Sequence, residues 1–122
     1  MNWLRLSVLY IITVLLLIIG DMPWLATVGR YAMKMVEQIQ DQPIKFKWWA
    51  AAVVYLALGY LVMITKSITE AGITGAAVYA VYDFTNLATF TNYSPLIAVA
   101  DSIWGGILFA GVKWTIGHLD KD

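Results

Sequence analysis

Residues 71–90 read AGITGAAVYAVYDFTNLATF, a largely apolar run with one carboxylate, Asp83, set inside it. The run matches the ~20 residues that carry an α-helix across the ~30 Å hydrocarbon layer of a bilayer. A carboxylate within such a span costs roughly 2.5 kcal/mol or more on insertion scales, so Asp83 is expected to face protein groups or an internal cavity rather than lipid. Two further acids have similar settings: Asp21 near the end of the first apolar run and Asp101 near the start of the last. The chain therefore reads as a membrane protein with a buried polar site.

Composition supports the class. Of 122 residues, 61% are hydrophobic and 13% charged, against about 25% charged in ordinary soluble domains. Six Trp and seven Tyr suit the headgroup level, where amphipathic rings gather. The absence of cysteine removes disulfides, thiolate metal sites and thiol catalysis together. Formal net charge is zero and no basic patch is dense, so nucleic acid is not an expected partner. The only histidine, His118, falls in the polar tail after the last apolar run, where exposure is expected and paired-His haem or zinc ligation within one chain is excluded.

Four apolar segments, about residues 4–25, 48–64, 72–90 and 96–117, predict an all-α, multi-pass integral membrane four-helix bundle, one domain over 1–122, with both termini on one side. The first segment resembles a signal peptide, but Gly20-Asp21-Met22-Pro23-Trp24 lacks a small-residue cleavage pattern and reads as a retained span. Pro23 cannot donate a backbone hydrogen bond and is expected to loosen the helix near Asp21. Between the first two spans, Ala32, Met35, Val36 and Ile39 recur at helical spacing with Lys34, Glu37, Gln38 and Asp41 on other faces. This predicts a short amphipathic segment lying in the interface, ended by Gln42-Pro43. Trp48-Trp49 would anchor the second span. Charge does not orient the bundle, because Arg5, Lys66, Lys113 and Lys121 on the terminal side balance Arg30, Lys34, Lys45 and Lys47 on the other.

Depth is more informative. Counted from the face that carries residues 30–47 at ~1.5 Å per residue, Asp83 lies roughly 10 Å deep, Asp101 roughly 8 Å and Asp21 roughly 6 Å. All three fall in one half of the membrane, so Asp21, Asp83, Asn86 and Asp101 are expected to converge, in a buried polar site that also takes in Tyr79, Tyr82, Thr85 and Trp104. On the third span Gly75, Tyr79, Tyr82, Asp83 and Asn86 share one face through overlapping i, i+3 and i+4 positions. On the fourth, Asp101, Trp104, Gly105 and Leu108 do the same. Gly72, Gly75 and Ala76, with Gly105 and Gly106, offer small surfaces for helix packing.

These residues carry a resemblance. Tyr82-Asp83-Phe84-Thr85-Asn86-Leu87-Ala88-Thr89 and Asp101-Ser102-Ile103-Trp104-Gly105 resemble the YDxTNxAT and DxxWG elements of a small bacterial membrane-protein family known only as a domain of unknown function, number two-one-seven-seven. Asp21-Met22-Pro23-Trp24-Leu25 is similar to its DxxWL element. The resemblance covers essentially the whole chain and implies Asp21, Trp24, Tyr82, Asp83, Thr85, Asn86, Asp101, Trp104 and Gly105 as signature positions, without an activity for them. The turn Phe90-Thr91-Asn92-Tyr93-Ser94-Pro95 departs from the family's more Trp-rich pattern.

Three readings of the polar site follow. The leading one is structural: a hydrogen-bond network that holds the helices in register, in a component of a membrane complex or membrane-containing particle. The alternative is a proton- or cation-coupled small-solute transporter or relay acting as an oligomer. An intramembrane enzyme, with oxygens of Asp21, Asp83, Asn86 and Asp101 around a hard cation, comes third. No cofactor or metal is expected. The expected partners are the lipid bilayer and either other proteins or further copies of the chain.

Overall fold

Three of the helices begin where a side chain supplies an acceptor for their free N–H groups. The computed structural model describes residues 2–120; Met1, Lys121 and Asp122, and with them Lys121 of the charge balance and the outer limits of the expected domain, lie outside the described residues. Asn2 accepts from the Arg5 amide at the start of α1, Trp3–Ala26. Ser67 accepts from the Glu70 amide at the start of α4, Ile68–Thr89, and the acid at Glu70 suits the positive helix end. Ser94 accepts from the Ile97 amide at the start of α5, Pro95–Leu119, where Pro95 is pre-set for the first helical position. The Ser67 cap explains why this helix begins four residues before the expected span at 72.

The described residues form five helices, because the amphipathic segment forms α2, Val28–Gln40, ahead of α3, Trp48–Ile64. Among the described residues there is no strand. Thr27 separates α1 from α2 with φ −112° and ψ −85°, and its hydroxyl donates to the Pro23 and Trp24 carbonyls at 2.8 and 3.2 Å. Pro23 itself remains inside α1. At the other end of α2 the chain turns through Asp41 in the left-handed region, φ 56°, before Pro43. Ser94, in the turn between α4 and α5, directs its amide at Met35 Sδ of α2 at 3.0 Å, so α2 lies over the end of the bundle that carries that turn.

The closest packing is between α4 and α5, along most of their length. Gly72 faces the Gly106 carbonyl and Ala110, and Gly75 faces the Gly105 carbonyl and Phe109. Without Cβ atoms the two backbones approach until carbonyls and rings fill the space. Leu17, Leu58, Val62, Ala71, Leu108, Phe109, Val112 and Ile116 form the adjoining core. Lys113 reaches from α5 to the end of α3, donating to the Thr65 carbonyl at 2.5 Å and the Val62 carbonyl at 3.4 Å. The Val62 carbonyl also accepts from the Thr65 amide and hydroxyl at 3.2 and 2.6 Å, so the ammonium sits at the capped, negative end of α3. At the same end of the bundle Arg5 pairs with Asp120 at 2.7 Å, which ties the start of α1 to the end of α5.

Large apolar side chains point outward on every long helix: Ile19 on α1, Val53 on α3, Ile73 on α4 and Ile103 on α5 are 61%, 58%, 67% and 59% exposed. Among the described residues two helices, α1 and α5, are both long and apolar enough to cross a membrane. α3 is apolar but has 17 residues, and α4 has the length while its Thr, Gly, Tyr, Asp and Asn positions dilute its hydropathy.

A Cβ at Gly75 would press on the Gly105 carbonyl and on Phe109, neither of which can give way without moving a helix. Gly75→Ala is therefore expected to lower stability in detergent by ~1–3 kcal/mol. Gly111→Ala, with nothing within 4 Å of the new methyl, is expected to be neutral or to stabilise by up to ~1 kcal/mol through helix propensity. Equal effects of the two substitutions on unfolding would show that close approach is not what requires glycine at 75.

Candidate functional site

Two Asp-x-x-Trp turns, one on α1 and one on α5, meet and exchange hydrogen bonds. Trp24 Nε1 donates to Asp101 Oδ1 at 2.9 Å, and Trp104 Nε1 donates to Asp21 Oδ1 at 2.8 Å. The indoles lie against each other with centroids 5.1 Å apart and planes 5° from parallel. A spacing of three residues puts Asp and Trp of one turn on the same helix face. Because α1 and α5 run in opposite directions, each Trp then meets the acid of the other turn, as across a local two-fold axis. Tyr55 of α3 completes the Asp21 carboxylate with a bond to Oδ2 at 2.5 Å. Asp21 is 6% exposed, and both of its oxygens have donors.

Asp83 is placed differently. It is 2% exposed, and its Oδ1 accepts from the Tyr93 hydroxyl at 3.0 Å. Its Oδ2 is buried and accepts no hydrogen bond from any described residue. The group beside it, within hydrogen-bonding reach, is the carboxyl of Asp101. Two carboxylates in that relation repel unless a proton or cation lies between them. Asp83, Asp101, Trp24, Tyr82 and Tyr93 line one cleft of about 460 Å³, whose further walls come from Val28, Ala32, Met33 and Val36 of α2 and from residues 44–46. Burial is the largest influence on the Tyr93 phenol, with the Asp83 carboxyl adding to it and a hydrogen bond with Asn86 opposing it; together they push its pKa up to about 12. Tyr93 therefore stays a donor throughout the neutral range.

The sequence-predicted residues thus divide. Asp21, Trp24, Asp101 and Trp104 form the reciprocal pair, Asp83 adjoins it through Asp101, and Asn86 reaches the group through Tyr93. Tyr79 stands half-buried over Gly105, edge-on to Phe109 at 6.3 Å. Tyr82 is 66% exposed and contributes to the cleft wall rather than to a buried network. Thr85 is exposed and outside the cleft lining. Both depart from the expected buried site because Tyr82 leaves α4 to one side of Asp83 and Thr85, two residues beyond Asp83, lies about 160° round the helix from it. Among the described residues no three His, Cys, Asp or Glu are gathered to hold one metal ion; Asp21 lies outside the cleft lining and is held by Tyr55 and Trp104. Sequence reasoning missed Tyr55 and Tyr93. Tyr55 carries the same signal as the acids, since it stands seven residues into α3 from Trp48 and so roughly 10 Å deep, level with Asp83.

A helical chain whose large apolar side chains face outward while its acids are matched with indoles and phenols has the character of a membrane protein. The chain belongs to the family described as Predicted membrane protein (DUF2177), whose model matches residues 6–117. No curated protein and no solved structure matches it.

Removing one indole leaves the opposite acid short of a donor. Trp104→Leu is expected to cost ~1–3 kcal/mol of stability, and Trp24→Leu a similar amount. The double variant should lose less than the sum by ~0.5–1.5 kcal/mol, the worth of a stacked pair that either single change already abolishes. Strict additivity in unfolding measurements would show that the two bonds act independently.

Proposed function

We propose that this chain is a four-span integral membrane protein, crossing with α1, α3, α4 and α5, in which the Asp83–Asp101 pair takes up a proton or cation from the cleft under α2, as a relay or a cation-coupled carrier of small solutes. The outward apolar side chains on all four long helices support the topology, because in lipid they need no further cover. The 17 residues of α3 lie at the short end of the range for a span. The observation that carries the functional reading is Asp83 Oδ2, which is buried without a donor beside a second carboxyl and at a cleft. A network built only to hold helices together would have to keep a proton between the two carboxyls, since each unpaired buried acceptor costs ~1–3 kcal/mol. Intramembrane acids of this kind mark ion and proton paths.

The structural reading, a component of a membrane complex, is favoured by a different observation. Asp21 and the Oδ1 atom of Asp101 are matched by donors from other helices, as a register-fixing network requires. In that case the protein should copurify from native membranes in fixed ratio with other chains.

Because the chain has no cysteine, single cysteines can report topology. Residues Asn2 and Lys66 are expected to label with an impermeant reagent from one side, and Gln42 and Thr91 from the other. Labelling of Asn2 and Gln42 from the same side would remove the four-span topology. For the relay, Asp83→Asn keeps size and hydrogen bonding, so the variant should stay folded with a loss of no more than ~1–2 kcal/mol. It should abolish pH- or cation-driven flux that the parent shows in liposomes. Absence of flux in both proteins, with intact copurification, would leave the structural reading.

A further inference from the structure

The cleft under α2 has a polarity that selects its occupant. We propose that it binds a primary ammonium group carried on a short apolar body, with the –NH3+ hydrogens directed at Asp83 Oδ2 and the Asp101 carboxyl. This rests on reading the Asp83–Asp101 pair as a cation site and names the class of cation.

The charge comes first. Two carboxylates and one lysine, Lys45, are the charged residues in the lining, and Lys45 is exposed, so the buried end of the cleft is negative. An anion is disfavoured there. A hard divalent ion needs about six oxygen ligands, and no third His, Cys, Asp or Glu joins the pair among the described residues. A group that brings its own hydrogens meets the requirement better, because Asp83 Oδ2 is an acceptor with no donor. That requirement also separates a primary ammonium from a quaternary one, which has charge but no N–H. The Trp24, Tyr82 and Tyr93 rings in the lining add faces that attract cations.

The apolar body follows from the walls. Leu25, Val28, Val36, Ile44, Phe46 and Ile97 line the same cleft as the two acids, and about 460 Å³ falls within the usual span of small-molecule sites. An ammonium with a chain of about six carbons places its charge on the acids and its carbons on these walls. The same head could come from a free alkylamine or from the ethanolamine headgroup of a lipid entering sideways.

The test uses the full chain in nanodiscs of phosphatidylcholine and phosphatidylglycerol, which carry no primary amine, titrated calorimetrically with hexylammonium, 1-hexanol and tetramethylammonium. Hexylammonium is expected to bind saturably and the other two at least tenfold more weakly, a loss on the scale of one hydrogen-bonded charge. Asp83→Asn should weaken hexylammonium by about 30-fold or more while its unfolding temperature stays near the parent's. Val36→Phe, which narrows the cleft from α2 and leaves both acids intact, should weaken it as well. Hexylammonium affinity lost in discs that contain phosphatidylethanolamine would assign the site to the lipid headgroup, and affinity retained there would assign it to the free amine. Binding of hexylammonium no tighter than 1-hexanol, or unchanged in Asp83→Asn, would overturn the proposal. Proton flux without amine binding removes only this inference, whereas amine binding without flux removes the transport reading and keeps the site.

Discussion

A carboxylate surrounded by apolar side chains must find donors or a counter-charge, and in this protein two acids find them in each other's turns. The Asp21–Trp104 and Asp101–Trp24 bonds fix the height of α1 against α5, since a shift by one residue would part both indoles from their acceptors at once. Tyr55 then sets α3 against α1, and the glycine contacts set α4 against α5. Asp83 is held opposite Asp101 as a result of all three arrangements. The pairing that serves packing thus also brings together two negative groups that packing would keep apart.

Much of this arrangement could be read from residue positions alone. The apolar runs located the four long helices to within a few residues, because hydropathy is a local property and caps such as Ser67 and Ser94 adjust only the ends. The depth count brought Asp21, Asp83 and Asp101 to one level, and the level is a matter of helical rise. Rotation about each helix axis is not. Nothing in the spacing of Tyr82 told that it flanks the buried face rather than lies on it, since a face wide enough to include Asp83 and Asn86 also admits its neighbour, whereas Thr85, two residues from Asp83, was named by its signature tract and not by its helical position. The exchange of partners between the two Asp-x-x-Trp turns was equally hidden, because it depends on α1 and α5 being adjacent, and adjacency is set by packing among all the helices.

The roles of Tyr93 and Lys113 were hidden for another reason. Tyr93 lies in a turn whose composition announces a change of direction, yet its hydroxyl reaches back to Asp83. In the sequence Lys113 counts only as one basic residue of the terminal side, whereas its partners are backbone carbonyls at the end of α3. Main-chain acceptors have no residue signature. A chain read for charge pairs alone will therefore count as unmatched a side chain that is fully engaged.

The late segment of the chain holds a disproportionate share of these partners. Trp104 serves Asp21, Asp101 serves Trp24, Tyr93 serves Asp83, and Lys113 serves the carbonyls of Val62 and Thr65. Synthesis proceeds from the N-terminus, so in a four-span protein α1, α3 and α4 would enter the bilayer while every one of these partners is still in or behind the ribosome. The early helices must shelter their polar groups in the insertion machinery, or against one another as Tyr55 does for Asp21, until the last quarter of the chain arrives. With four spans, a ribosome that stops before residue 93 would release a product in which Asp83 lacks Tyr93 and Asp21 keeps Tyr55 but lacks Trp104.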